Sequence, residues 1–169
     1  MPTPASLPIH CLEEGAAPGG ELSATQLRWA ASNAFSGQRG RLLPLPGPDG
    51  AVAGYLFGVG PAATRPQLVT GLAAAALEPG NYRLEGALGD PTLAALGFRL
   101  GAYRFDRYRK PRDLPVLADV DGADMEEVTC LVEAAYLARD LVNTSANDLG
   151  PNAFEQQIRA FAAGHQMQL

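Results

Sequence analysis

The stretch Arg41–Gly60, RLLPLPGPDGAVAGYLFGVG, sets two apolar runs on either side of a Pro- and Gly-rich centre. Runs of this kind, separated by turn residues, predict a strand, a turn over Pro46–Gly50 and a second strand, which together make a β-hairpin. Pro44 stands inside the first run. Proline has no N–H to give to a ladder, so this strand belongs at the edge of its sheet. Working outward from the hairpin, every other predicted strand is separated from the next by a helix.

Upstream, Leu7–Leu12 reads as a first strand. Ser23 and Gln26 form a capping box that opens a helix over Ala24–Phe35, with Leu27, Ala30, Ala31 and Ala34 on one face. Downstream, Pro66 opens a second helix, which runs through Leu77 and is ended by Pro79–Gly80. Asn81–Leu88 is a short strand. Asp90 then caps a long helix with Pro91 in its first turn, expected to continue through Lys110. Its apolar positions form two stripes, Leu93, Leu96, Leu100 and Tyr103 beside Phe98, Ala102 and Phe105, so it should be packed on two sides. Gly97 and Gly101 would let another backbone come close. Leu114–Val120, apolar throughout, reads as a central parallel strand. A capping box of Asp124 and Glu127 opens the next helix, with Val128, Leu131, Ala135, Ala138 and Val142 at helical spacing. That helix ends in the turn Asn143–Gly150, and Pro151 starts the last one. At the end, QMQL begins an alternating pattern.

The order β-α-β-β-α-β-α-β-α-α predicts an α/β fold of three layers, a mixed, mostly parallel sheet flanked by helices and followed by two further helices. The expected division is a domain over 1–122 and a linker helix with the first helix of a following unit over 123–169. With 169 residues, 47% of them hydrophobic, the chain is long enough to bury roughly 70% of the surface its unfolded form exposes. A net charge of −5 argues against nucleic acid or an anionic membrane as the main partner. Cys11 and Cys130 fit no metal or redox spacing and read as two reduced, buried thiols. The N-terminus lacks the features of a signal peptide, and no run of about 18 apolar residues is present, so a cytoplasmic location is expected.

Catalytic groups are scarce. His10, Cys11, Glu13 and Glu14 sit together, but neighbours on a strand point to opposite faces, so His10 and Cys11 do not share an ion readily. No serine lies in a nucleophile elbow. Phe57–Thr64, FGVGPAAT, lacks the further glycines or lysine of a phosphate cradle and reads as a plain turn. Arginines alternate with aromatics in Tyr103–Arg112, YRFDRYRKPR, an arrangement that a helix C-terminus would favour on dipole grounds alone. Glu126, Glu127 and Glu133 belong to a solvated helix face.

Two stretches carry a resemblance. Leu100–Lys110, LGAYRFDRYRK, and Ala138–Pro151, ARDLVNTSANDLGP, resemble the leucyl aminopeptidase family, the cytosol aminopeptidases. The family's segment of the type R-D-L-x-N-x-P-x-N-x-x-x-P is matched by Arg139, Asp140, Leu141, Asn143, Asn147 and Pro151, while Ser145 stands where the family usually has proline. The resemblance implies an N-terminal, macro-domain-like α/β domain joined to a larger catalytic domain. It also implies homo-hexamers, peptide substrates and two divalent metal ions, Zn or Mn, held in the catalytic domain. This chain would then carry no catalytic, cofactor-binding or metal-ligating residue. Arg139, Asp140, Asn143, Asn147 and Pro151 would fix the interdomain turn, and the domain would contribute to assembly and to active-site access. Two alternatives have a different logic. One is a stand-alone macro-like module that binds an ADP-ribose-type ligand at the carboxyl ends of the strands. The other is a regulatory protein that has lost its enzyme half.

Overall fold

A computed structural model describes residues 6–18 and 22–168, so the first five residues and Leu169, the end of the alternating QMQL, lie outside what it describes. The elements follow the expected order: β1 (Leu7–Glu13), α1 (Ala24–Ser32), β2 (Leu42–Pro46), β3 (Val52–Gly60), α2 (Gly71–Ala76), β4 (Gly80–Gly86), α3 (Pro91–Ala102), β5 (Pro115–Leu117), α4 (Met125–Asn143) and α5 (Pro151–Gly164). The sheet runs β2-β3-β1-β4-β5. β2 is antiparallel to β3, with Pro44 opposite Tyr55, and the other pairs are parallel. Pro44 lies on the edge strand as expected, and its carbonyl accepts a hydrogen bond of 3.0 Å from Trp29 Nε1 on α1.

Alternation along the strands divides the core in two. Ile9, Cys11, Phe57, Val59, Tyr82 and Leu84 pack with Ala73 and Ala74 of α2, with Ala94, Ala95 and Phe98 of α3, and with Val128 and Val132 of α4. Leu12, Leu43, Leu45 and Leu56 pack on the other face with Ala30 of α1 and Phe35. The result is the three-layer, mostly parallel α/β arrangement expected from the order of elements. α3 has α2 on one side and α4 on another. Gly97 and Gly101 open its surface to α2: a Cβ on Gly97 would stand 2.6 Å from Thr70 Oγ1, and one on Gly101 would stand 2.5 Å from Gly71 Cα.

Several expectations of extent are corrected. α1 stops at Ser32 because Asn33 caps it, its side chain donating to Trp29 O at 2.8 Å, and Ala34 turns to a φ of 49°. The second helix does not begin at Pro66. Between there and Gly71 the chain winds in tight i to i−3 bonds, Val69 N to Pro66 O and Gly71 N to Leu68 O, and Thr70 Oγ1 reaches across to Ala94 O at 2.6 Å. α3 ends at Ala102, with Tyr103 already extended, so the arginines from Arg104 onward do not lie in its last turn. β5 is a three-residue edge strand, and Val116 on it is 56% exposed. Along α4 the buried line is Val128 and Val132, whereas Leu131 and Val142 of the expected stripe are exposed. Cys11 is buried and free, while Cys130 is free but exposed, not buried as expected.

Candidate functional site

The two stretches that stood out in the sequence meet in space. α3 ends early, which frees Tyr103–Arg112 to run past the C-terminal half of α4 as an irregular strap. Arg139 on α4 donates from Nη1 to Leu100 O at 2.7 Å, satisfying one of the carbonyls that the end of α3 leaves without a helical partner. Its guanidinium carbon lies 5.2 Å from the centre of the Tyr103 ring, close enough for a cation–π contact. The Tyr103 hydroxyl donates to Asp140 Oδ1 at 2.7 Å and accepts from Asn143 Nδ2 at 3.1 Å. Desolvation, followed by the bond to Asp140, raises the pKa of this hydroxyl, so it remains a donor. The Tyr103 ring also meets Tyr136 edge-on, with centroids 5.0 Å apart, and the Tyr136 hydroxyl donates to Arg99 O.

One turn further along, a second cluster fastens the end of α4. The Thr144 hydroxyl and N–H both return to Asp140 O, and Arg107 Nη1 reaches Thr144 Oγ1 at 3.5 Å. The Tyr108 hydroxyl donates to Asp148 Oδ2 at 2.6 Å and accepts from the Ser145 N–H at 2.9 Å. Ser145 Oγ lies 3.3 Å from the same Asp148 oxygen. These donors, Tyr108 first, hold the Asp148 carboxyl below its usual range. Asp148 N and Leu149 N both bond Ser145 O, and Pro151 then occupies the first turn of α5.

Of the residues singled out from the sequence, Arg139, Asp140 and Asn143 thus converge on Tyr103. Pro151 opens α5. Asn147 is exposed within the turn, and its side chain makes no hydrogen bond to another described residue. Of the tyrosines that join the two stretches, Tyr103 is read from the sequence only as part of an apolar helix stripe, and Tyr108 has no role assigned there. Both lie in a segment read as helix, and only the stop at Ala102 turns their hydroxyls toward α4.

The rest of the surface offers little chemistry. His10 Nδ1 lies 3.1 Å from Glu85 Oε2, on the opposite face of β1 from the buried Cys11. Burial pushes the Cys11 thiol up to about 12. No three His, Cys, Asp or Glu side chains among the described residues come together as a metal site. At the carboxyl ends of the strands, where a nucleotide would sit, Arg65 lies 3.3 Å from Glu13 Oε1 and donates to Ala87 O at 3.2 Å. A cleft of about 570 Å³ lies at the opposite end of the sheet, between the C-terminal end of α2 and Arg104–Pro115.

The described residues thus form a three-layer α/β domain whose last strand hands over to a long helix that a tyrosine strap fastens. Residues 15–118 match the sequence profile of the family described as M17 aminopeptidase, N-terminal domain, and the chain belongs to that family. Over 166 residues it is 34% identical to the probable cytosol aminopeptidase of Caulobacter vibrioides, an alignment covering 85% of this chain and 33% of that protein. It is 30% identical over 165 residues to that of Methylorubrum populi, covering 83% and 33%. The chain therefore spans about a third of the length of these curated relatives. The crystal structure of the cytosol aminopeptidase from Coxiella burnetii superposes with a TM-score of 0.78 at 26% identity, over 97% of this chain and 37% of that one. The bottromycin maturation enzyme BotP in complex with Mn gives 0.74 at 29% identity, over 95% and 37%.

Proposed function

We propose that this domain serves a dinuclear metallopeptidase that removes N-terminal residues from peptides, with the catalytic residues and both divalent ions, Zn or Mn, supplied by a separate catalytic domain. The observation that carries this reading is the fastening of Ala138–Pro151 to the strap Tyr103–Arg112, because it sets the direction in which the chain leaves α4. In this reading residues 1–122 form the N-terminal domain and 123–169 the link to the catalytic domain. Arg139, Asp140 and Asn143 hold the turn through Tyr103, Pro151 starts the next helix, and Asn147 is free to meet the neighbouring domain. The domain's part is to support a homo-hexamer in the cytoplasm and to shape access to the active site. It needs no catalytic group of its own for that.

The apolar residues left open on α5 support the same reading. Phe154, Ile158 and Phe161 are each more than 40% exposed and recur at helical spacing. The test is hydrolysis of a leucine chromogenic amide by the folded 169-residue chain, with and without Mn²⁺ or Zn²⁺. No turnover is expected in either case. Metal-dependent turnover that survives controls for contamination would overturn the assignment.

A further inference from the structure

The arginine cluster needs a new explanation once α3 is known to end at Ala102, because the helix C-terminus then accounts only for Arg104, which bonds the Gly101 carbonyl. Residues 104–112 hold five bases, Arg104, Arg107, Arg109, Lys110 and Arg112, and one acid, a net charge of +4 in a chain whose total is −5. Residues 119–127 hold five acids, Asp119, Asp121, Asp124, Glu126 and Glu127, and no base. All ten side chains are exposed, and none takes part in an ion pair within the chain among the described residues. Arg104 is occupied with the Ala75, Gly101 and Tyr103 carbonyls, and Arg107 with Thr144. Arg109, Lys110 and Arg112 remain, on the wall of the 570 Å³ cleft.

Between the two charged segments lies β5, the terminal strand of the sheet, which has no further strand beside it among the described residues. Its Ala118 N–H bonds Tyr82 O on β4, so by the alternation of a parallel ladder the N–H and C=O of Leu117 point away from the sheet. An edge of this kind is a template for another strand. A second copy related by a two-fold axis at Leu117 would present an antiparallel strand running the other way. The basic segment before β5 in each copy would then face the acidic segment after β5 in the other, twice over, as an isologous contact requires.

We propose that the β5 edge is a self-association surface whose partner is a second copy of this chain, with residues 104–112 of each copy facing residues 119–127 of the other. Charge complementarity, not apolar area, sets the pairing and its direction. The experiment is sedimentation of the 169-residue chain at two salt concentrations, with two charge-reversed variants. In one variant Arg109, Lys110 and Arg112 become Glu; in the other Asp119, Asp121 and Asp124 become Lys. A dimer is expected whose dissociation constant rises by about tenfold or more between about 0.05 M and about 0.5 M salt. Each variant alone should be monomeric, and an equimolar mixture of the two should dimerise again, because reversal on both sides restores the complement. Restoration also shows that both variants are folded. A chain that stays monomeric at low salt, or a dimer unaffected by salt and by either reversal, would overturn the proposal; the latter would assign association to the apolar face of α5.

Discussion

Replacing Gly101 with alanine tests the contact that sets α2 on α3. A Cβ built on Gly101 stands 2.5 Å from Gly71 Cα and 2.7 Å from the Gly71 carbonyl carbon, with the carbonyl oxygen nearer still, whereas ordinary contact begins at 3.4 Å. The obstacle is backbone, so no side-chain rotation relieves it. The oxygen stands at 2.2 Å, so α2 must retreat by roughly an ångström or more, and it carries Ala73 and Ala74, both in the core. Overpacking of a core costs about 1–3 kcal/mol, and a clash against backbone belongs near the top of that range. Against this, alanine is better than glycine inside a helix by about 1 kcal/mol. The packing term wins, and a net loss of about 2 kcal/mol is expected, which for a domain of this size lowers the melting temperature by about 4–8 °C. Urea and thermal unfolding followed by circular dichroism measure both quantities. Gly164→Ala, with nothing within 4 Å of the added Cβ, is the control and should change little. If Gly101→Ala matches or exceeds the parent's stability, the close approach of α2 and α3 is not what the fold depends on.

Three further outcomes follow from the contacts at the junction and in the core. Arg139→Ala removes the charged donor from Leu100 O and the cation over Tyr103. Because Arg139 is only half-buried, the loss should be near the low end of the range for such bonds, about 1.5 kcal/mol, with amide exchange quickened first in Tyr103–Tyr108. A loss spread evenly over the chain would count against a local role. The Asp148 carboxyl is held below its ordinary value of 3.8, so its contribution to the turn is fully present above that pH and fades as the pH falls through the lowered value. A carboxyl titration by NMR should show Tyr108→Phe returning Asp148 toward the ordinary value, and no change would refute the bond. Cys11 is buried with its thiol pushed up to about 12, against 9.0 unfolded, so folding opposes its ionisation and stability declines as the pH rises above 9.0. In the native protein iodoacetamide should therefore label Cys130 and spare Cys11, with both labelled in urea; native labelling of Cys11 would refute its burial.

The elements that could be read from the sequence are those whose signals are local. The turn between β2 and β3, the capping Ser23–Gln26 pair, Asp90 with Pro91, and the Gly97–Gly101 spacing each act over a few residues, and each does so in the fold. Extents were legible only where a local stop existed. Nothing between Pro91 and Pro111 forbids a helix. What accompanies the end of α3 at Ala102 is tertiary: Arg139 takes the Leu100 carbonyl, and Arg104 reaches across to the Ala75 carbonyl on α2. The same holds for Pro66–Thr70, where the Thr70 hydroxyl trades local helix for a bond to Ala94 O. Apolarity misled at β5, because its residues are apolar on both faces although only Pro115 is buried. The site was legible in its α4 half, through a resemblance, and illegible in its tyrosines, whose role exists only across 37 to 40 residues of sequence.

Ser145 is where the resemblance and the structure can be set against each other. Proline is usual in the family at this place, and the backbone of the residue before it suits either side chain. Thr144 is already extended, with φ −72° and ψ 131°, the conformation that a following proline requires. Serine uses the same backbone differently: its N–H, which proline would lack, goes to the Tyr108 hydroxyl, and its own hydroxyl lies beside Asp148. The two solutions fix the same turn, one through covalent stiffness and one through hydrogen bonds that exposed groups can also make to water. Ser145→Pro gains about 0.4–1 kcal/mol by narrowing the unfolded ensemble and loses a similar amount with the exposed bond from the Ser145 N–H to Tyr108, so a net change within about 1 kcal/mol of zero is expected. In that background Tyr108→Phe should cost less than it does beside serine, since the hydroxyl has lost one of its partners, and a double-mutant cycle reads the difference directly. A Ser145→Pro variant destabilised by more than about 1 kcal/mol, or a Tyr108→Phe cost that is the same in both backgrounds, would mean that the Ser145 N–H contributes something the family's proline does not replace.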